Sequence, residues 1–278
     1  MEKIRAVVHE TVCPIQLKSI VEGEMADEAV YGMTVTIVDY EGEFAFVETD
    51  YDYKGYILKD YLETDPDKVK TWENSEKSVV WHSFADCQHE PSYKTWPVAK
   101  VVRGSYVVLT GKTEGDWSEV KLVNGENAWI KSEYVRPIKK VSDYGNEVEL
   151  RNALVDTAIL YLDTQYRWGG RSPLGVDCSG LCSMSYLLNG IKIYRDAHLK
   201  PEYMDEITLE EAKPGDLLFF PGHVAMYLGS LRYIHSSSSV SGVKFGSLNP
   251  EDLNYSQKLH DTLEACGTVF KGDRLKWK

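Results

Sequence analysis

Residues 166–180 read Tyr-Arg-Trp-Gly-Gly-Arg-Ser-Pro-Leu-Gly-Val-Asp-Cys-Ser-Gly, and this stretch decides the fold of the second half of the chain. Glycine and proline make its first part irregular, and an apolar run that ends at an Asn-Gly pair follows it. This order predicts a loop that leads into a helix beginning at Cys178, with Asp177 or Ser179 capping its N-terminus. We expect the positive end of the helix dipole to stabilise the thiolate of Cys178 and to lower the pKa of the thiol.

A nucleophilic cysteine needs a base, and two histidines follow Cys178 in a hairpin pattern. A buried strand over Leu217–Phe220 is followed by a strand with His223 at its entrance, and a third strand ends at His235. We predict that the two histidines lie directly opposite each other, where Cβ atoms are about 4.5–5.5 Å apart. The pattern therefore predicts Cys178 as the nucleophile, His223 as general base and acid, and His235 as the group that orients His223.

The second cysteine of the same helix leaves a metal site open as an alternative. Cys182 follows Cys178 by one helical turn, so the two thiols and the two histidines together suggest zinc. A Cys-x3-Cys pair on a helix is uncommon in structural zinc sites, and otherwise Cys182 belongs to the core. No cofactor is expected. The other cysteines are interpreted as core residues and the other histidines as solvated or structural; they are Cys13, Cys87, Cys266, His9, His82, His89, His198 and His260.

Five ordered blocks together resemble the NlpC/P60 cysteine peptidases. They are Tyr-x-Trp-Gly-Gly at 166–170, Asp-Cys-Ser-Gly at 177–180, Pro-Gly-Asp-Leu-Leu-Phe-Phe at 214–220, His-Val-Ala-Met-Tyr-Leu-Gly at 223–229, and His235. The resemblance covers about residues 150–270 and implies a papain-like α+β core. It also implies cleavage of bacterial cell-wall peptides, commonly between D-glutamate and a diamino acid.

The first half contains an internal repeat at an offset of 72–73 residues. Gly-Tyr-Ile-Leu-Lys-Asp-Tyr-Leu at 55–62 aligns with Ala-Trp-Ile-Lys-Ser-Glu-Tyr-Val at 128–135. Each copy reads as short strands separated by turns, which predicts two small β-barrels that resemble bacterial SH3 domains. A role as spacers is the alternative.

The predicted domain order follows from these segments. It comprises an SH3-like barrel at 1–65, a second barrel at 75–138 and the peptidase domain at 147–278, with polar connectors at 64–70 and 136–146. Apolar residues at helical spacing over 150–162 predict a helix ahead of the active loop. The fold class is α+β.

Two SH3-like barrels ahead of this core resemble the γ-D-glutamyl-L-diamino acid endopeptidases, which act on murein peptides with a free N-terminal L-alanine. The resemblance implies that the first barrel closes the far end of the cleft and excludes intact wall. It also implies a tyrosine of that barrel near the substrate amine, for which Tyr53 is our choice.

The same resemblance assigns the remaining substrate contacts. Tyr166 and Asp177 would hold the amino end of the substrate, because a cationic amine needs an anionic partner when it is buried. Ser179 would lie near the D-glutamate, and Arg195 and Asp196 would line the same cleft. The family often has a small polar residue after this Arg-Asp pair, whereas this chain has alanine followed by histidine.

The net charge and the unpaired cysteines limit which binding partners and which cell compartment we expect. The formal net charge of −12 argues against nucleic acid or an anionic membrane as partner, and we expect a monomer acting on a small murein peptide. Unpaired cysteines and an N-terminus without an apolar run predict the cytoplasm and wall-peptide recycling; secretion is the alternative, if a leader was removed. An amidase, an acyltransferase, a secreted hydrolase of intact peptidoglycan and an inactive wall-binding module are the alternative functions.

Overall fold

The computed structural model describes residues 3–275, which fall into two compact units. The first unit spans Met1–Ile138 and the second Lys139–Lys278. The predicted three-domain boundaries stay a prediction, since the two repeats lie within one unit.

Two seven-stranded antiparallel sheets make up most of the first unit. The strands of the first sheet are β1 (Ile4–Val8), β2 (Val12–Gln16), β3 (Met25–Val30), β4 (Thr34–Glu41), β5 (Phe44–Thr49), β6 (Lys54–Leu58) and β7 (Leu62–Glu63). Those of the second are β8 (Ser78–Val80), β9 (Phe84–Gln88), β10 (Pro97–Val102), β11 (Tyr106–Glu114), β12 (Trp117–Lys121), β13 (Asn127–Lys131) and β14 (Val135–Pro137). Single 3-10 turns, Lys59–Tyr61 and Ser132–Tyr134, precede β7 and β14.

The sequence repeat corresponds to a repeated strand order. The first sheet has the order β3-β2-β6-β5-β4-β1-β7, and the second has β10-β9-β13-β12-β11-β8-β14. Adding seven to each label of the first order gives the second. This arrangement is consistent with the predicted SH3-like domains.

For 64–70 the sequence predicted only a polar connector, without a helix of its own. The structure has a helix there, α1 (Pro66–Asn74), in which Asp65 caps the N-terminus and proline occupies the first turn. Val69 and Trp72 of α1 are buried, and the Trp72 indole N–H donates to the Gly32 carbonyl at 3.0 Å. The helix therefore joins a single hydrophobic cluster to which both sheets contribute.

The second unit combines helices with a six-stranded antiparallel sheet of order β17-β22-β18-β19-β20-β21. Its elements are α2 (Glu147–Ile159), β15 (Arg171–Ser172), β16 (Gly175–Val176), α3 (Cys178–Leu187), β17 (Asp205–Ile207), β18 (Leu217–Phe220), β19 (His223–Gly229), β20 (Arg232–Ser237), β21 (Gly242–Ser247), α4 (Gln257–Asp261) and β22 (Ala265–Thr268). The 3-10 turns Val141–Asp143 and Ser238–Val240 lie outside these elements. The predicted helix ahead of the active loop is α2.

Helix α3 packs against β19 and β20, in the middle of the sheet. Its residues from Cys178 to Tyr186 are all buried, which small serine and glycine side chains permit because they let the strands approach closely. The N-terminus of α3 is therefore held beside the first residues of β19, where His223 lies.

All five cysteines are buried and free. Cys13, Cys87, Cys182 and Cys266 are at most 2% exposed, which confirms that they are core residues. In the range 3–275, no helix combines the length and apolar character that a membrane span requires.

Candidate active site

The nucleophile position is built by the loop ahead of α3. The backbone of Asp177 is extended and its N–H donates to the Gly170 carbonyl at 3.1 Å, so the loop lies directly against the start of the helix. A Cβ at Gly180 would collide with that same carbonyl oxygen. Glycine is therefore required at this position for Cys178 to occupy the first turn of α3.

The two predicted histidines form a hydrogen-bonded pair. His223 Nε2 and His235 Nδ1 are 2.9 Å apart, and the rings are edge to face. The prediction that the two histidines lie directly opposite each other is wrong. In the pairing of β19 with β20, Met226 lies opposite Ile234. Continued toward His223, that register places His235 across from Ala225. The histidines are diagonal neighbours on one face, a distance that long side chains span.

The hydrogen bond fixes how His223 can act. Its Nε2 is occupied by His235, so Nδ1 is the nitrogen that can take a proton from a thiol. For Nδ1 to accept, Nε2 must carry the ring proton and donate it to His235 Nδ1. Burial lowers the pKa of each imidazole to about 4, with the charge of Lys258 adding to the effect on His223. Both rings are therefore neutral at neutral pH.

The expected lowering of the cysteine pKa is wrong. Burial raises the pKa of the Cys178 thiol, and the carboxylate of Asp177 adds to the rise. The backbone N–H groups of Val224 and Ser179 donate to the sulfur and oppose the rise, as does the charge of Arg195. Because desolvation outweighs the helix terminus here, the resting pair is a neutral thiol beside a neutral imidazole.

A buried ion pair holds the loop and the helix start together. Arg195 lies 3.1 Å from one oxygen of Asp177 and 3.2 Å from the other, and it also donates to the Gly169 carbonyl at 3.0 Å. Asp177 further accepts from the N–H groups of Gly180 at 2.5 Å and Gly169 at 2.9 Å. The Ser179 hydroxyl donates to Asp177 at 3.2 Å and accepts from Arg195 at 2.8 Å.

Three of the predicted substrate residues thus form one network around the nucleophile. A substrate ammonium would have to share the Asp177 carboxylate with Arg195 and two backbone amides. Asp177 is also the helix cap, as the sequence allowed. Its predicted contact with the substrate stays a prediction.

The remaining predicted substrate residues are Tyr166, Asp196 and Tyr53. Burial raises the pKa of Tyr166 to about 12, and the charges of Cys178 and Asp177 contribute to the rise, so Tyr166 lies close to the nucleophile. Asp196 accepts from the Tyr194 hydroxyl at 3.3 Å. Tyr53 belongs to the first unit, where its hydroxyl donates to the Ala26 carbonyl at 3.4 Å, and its predicted place near the amine stays a prediction.

Sequence reasoning missed the backbone amide of Val224. The described pairing of β19 with β20 begins at Met226 of β19. Two residues before Met226 in the chain, the Val224 N–H donates to the Cys178 sulfur. A backbone contact of this kind has no side-chain signature. Its position directly after His223 is the one sequence signal that points to it.

The zinc alternative can be compared with the side-chain positions. Among residues 3–275, no group of three or more histidine, cysteine, aspartate or glutamate side chains has an arrangement that would hold a metal ion.

Comparison with known proteins identifies similar sequences and folds. The profile of the NlpC/P60 family matches residues 163–260. A dipeptidyl-peptidase 6 from Lysinibacillus sphaericus is 38% identical over 273 residues, which cover 96% of this chain and all of the relative. A γ-D-glutamyl-L-lysine dipeptidyl-peptidase from Bacillus cereus is 28% identical, over 81% of this chain and 71% of the relative.

A solved structure has the same fold over nearly the whole chain. It is an NlpC/P60 family protein from Bacillus cereus, with a TM-score of 0.79, and the match covers 94% of this chain and 98% of that one at 20% identity. At this identity the likeness shows the fold alone.

Proposed function

This chain belongs to the NlpC/P60 family of cysteine peptidases, and from that premise we propose that it hydrolyses the γ-D-glutamyl–L-diamino acid bond of murein peptides with a free N-terminal L-alanine. One observation carries the proposal: the backbone N–H of Val224, the residue after His223, donates to the Cys178 sulfur at the start of α3, and the ring nitrogens of His223 and His235 are 2.9 Å apart. The name of the relative from Bacillus cereus supports the γ-D-glutamyl bond.

The neutral resting state determines the order of proton transfer. The Cys178 thiol gives its proton to Nδ1 of His223 as its sulfur attacks the γ-carbonyl carbon of the glutamyl residue. His235 accepts the Nε2–H hydrogen bond of His223 throughout, so the imidazolium that forms keeps its orientation. The carbonyl oxygen becomes an oxyanion in this step.

The remaining steps return the enzyme to its starting state. The backbone N–H of Cys178 is at the first helical position, which has no intrahelical acceptor, and we assign it as one oxyanion donor. Imidazolium His223 then protonates the leaving amine as the carbon–nitrogen bond breaks and the thioester forms. Water, deprotonated by His223, hydrolyses the thioester and restores the thiol.

The recognition of a free amine and the exclusion of intact wall belong to the same proposal. Tyr166 and Asp177 lie close to Cys178 and offer a phenol oxygen and a carboxylate to an ammonium group. A blocked amine carries no charge and cannot make these charge-assisted hydrogen bonds, so a peptide with a blocked amine should be a poor substrate. We further assign the enzyme to the cytoplasm, as a monomer that recycles wall peptides.

The test uses defined peptides. L-Ala-γ-D-Glu-L-Lys and the corresponding diaminopimelate peptide are incubated with the enzyme, both free and N-acetylated, and the products are followed by mass. We expect hydrolysis after D-glutamate, with kcat/KM at least about 100-fold lower for the acetylated peptides, since they lose the charge-assisted hydrogen bonds of the free ammonium. Intact sacculi should not be digested. Equal cleavage of both forms, or clearing of sacculi, contradicts the proposed selectivity.

Deletion of the first barrel is not a useful test. Val7 and Tyr31 belong to the same hydrophobic cluster as Val101 and Ile130 of the second sheet, so removal of residues 1–65 exposes a shared core. Variants with single substitutions in the site keep the unit intact. Cys266→Ala, at a second buried cysteine outside the site, is the matched control for Cys178→Ala.

A further inference from the structure

The short helix α4 crosses the sheet over the two strands that carry the histidines. Before the helix, the N–H of its cap residue Ser256 donates to the carbonyl of Ser247, the last residue of β21, at 3.0 Å. After the helix, the Glu264 N–H donates to the Phe219 carbonyl of β18 at 2.9 Å. The strands β19 and β20 lie between β18 and β21 in the sheet, so α4 is anchored on both sides of them.

The packing of Leu259 shows which face of the sheet α4 covers. Leu259 packs against the hydrophobic cluster that contains Phe220 and Tyr233. The centroid of the Phe220 ring is 5.9 Å from that of His223, and the centroid of the Tyr233 ring is 5.0 Å from that of His235. Leu259 therefore shares its two aromatic neighbours with the histidine pair, and α4 lies over the face that carries the pair.

The residue before Leu259 is a lysine, and its charge acts on the catalytic histidine. Burial is the main cause of the low pKa of His223, and the positive charge of Lys258 lowers that pKa further. Lys258 is exposed and takes no part in the ion pairs among residues 3–275, whereas Lys244 is paired with Asp163. The ammonium of Lys258 is thus available to an anionic ligand that lies beside His223.

The proposed reaction brings such an anionic group to His223. The imidazolium of His223 protonates the amine of the leaving diamino acid, and the α-carbon bonded to that nitrogen also carries the carboxyl group. When the diamino acid is the last residue of the peptide, this group is a free carboxylate. It then lies beside the ring on which the charge of Lys258 already acts.

We propose that Lys258 binds the α-carboxylate of the diamino acid, on the leaving side of the bond that is cleaved, so that the enzyme prefers peptides that end at the diamino acid. The inference rests on the proposed function and adds the group that recognises the C-terminal end of the substrate. An ammonium attracts a carboxylate and not a neutral amide. A peptide that continues beyond the diamino acid has an amide at this place and loses the contact.

The experiment compares L-Ala-γ-D-Glu-L-Lys with its C-terminal carboxamide. We expect the wild-type protein to hydrolyse the acid with a kcat/KM about fivefold higher, as for a charge pair in an exposed site. Lys258→Gln should bring this ratio to about 1, and Lys258→Arg should restore most of it.

The ratio isolates recognition of the carboxylate from other effects of the substitution. Lys258→Gln also removes a charge from the surroundings of His223, but this change acts on both peptides alike and cancels in the ratio. Lys213→Gln, at an exposed lysine outside the site, is the control and should keep the ratio of the wild-type protein.

A binding measurement separates recognition from turnover. The Cys178→Ala protein is titrated by calorimetry with both peptides, and the acid should bind more tightly by a similar factor. Equal kcat/KM values for acid and amide in the wild-type protein, or an unchanged ratio in Lys258→Gln, overturn the inference, while hydrolysis of both peptides leaves the proposed function standing. Failure of the wild-type protein to hydrolyse either peptide overturns both.

Discussion

Replacement of Asp177 by asparagine tests the buried ion pair that holds the nucleophile loop. The side chain of Asp177 is nearly isosteric with asparagine, so the variant removes charge and changes little volume. Arg195 is 1% exposed and loses the carboxylate that stands 3.1 Å from its guanidinium. In the variant an amide nitrogen replaces one carboxylate oxygen. This nitrogen faces the backbone N–H of Gly169 or of Gly180, so two hydrogen-bond donors meet.

The expected loss of stability is large for one substitution. Breaking a buried ion pair by removing one partner costs about 3–5 kcal/mol, because the remaining charge stays buried. At about 2–4 °C per kcal/mol for a protein of this size class, Tm should fall by about 6–20 °C. The cap on α3 survives in part, since asparagine also accepts from the helix N-terminus.

Urea unfolding followed by circular dichroism measures the difference. Asp196→Asn, at the less buried carboxylate that follows Arg195 in the chain and accepts from Tyr194, is the matched control and should lose less than about 1 kcal/mol. The double variant Asp177→Asn with Arg195→Met should lose clearly less than the sum of the single losses, because no unpaired charge is left. A loss below 1 kcal/mol in Asp177→Asn, or strict additivity in the double variant, would refute the reasoning.

Four further predictions concern the catalytic groups. Cys178→Ala should abolish hydrolysis with the fold intact, whereas Cys266→Ala should keep it; turnover by Cys178→Ala would end the cysteine-peptidase mechanism. Iodoacetamide should label Cys178, 7% exposed, before the four cysteines that are at most 2% exposed, and mass mapping of the labelled peptides gives the order. His235→Ala should lower kcat by more than about tenfold with a smaller effect on KM, His223→Ala should be worse and the exposed His260→Ala neutral; near-wild-type rates for both site variants would contradict the assigned orientation. The folded pKa of each histidine is about 4 and the unfolded value is about 6.5, so stability is highest above pH 6.5 and falls as the pH falls toward 4, by about 3 kcal/mol for each histidine. His235→Gln should therefore lose less stability between pH 7 and pH 4.5, as measured by urea unfolding.

Local patterns in the sequence predicted the elements that carry the site. The strands Leu217–Phe220 and His223–Gly229 were predicted with the bounds that the structure has, because turn residues stand on both sides of each. The helix beginning at Cys178 was predicted from the loop before it and the apolar run after it. Each of these signals depends on residues a few positions apart. The α1 helix was missed, although Asp65 followed by proline is a helix-start signal, because its short sequence is mainly polar.

The sequence by itself determined which residues could do the chemistry: a cysteine at a helix start and two histidines on neighbouring strands. Only the tertiary structure decided how they act. The strand register made His223 and His235 diagonal neighbours, and the fold placed the Val224 amide against the Cys178 sulfur. Burial raised the pKa of Cys178 where the helix terminus alone predicted a fall. The reason is physical: a helix or a strand is specified by residues near in sequence, whereas desolvation and charge pairing depend on groups far apart in the chain, such as Asp177 and Arg195, that the fold brings together.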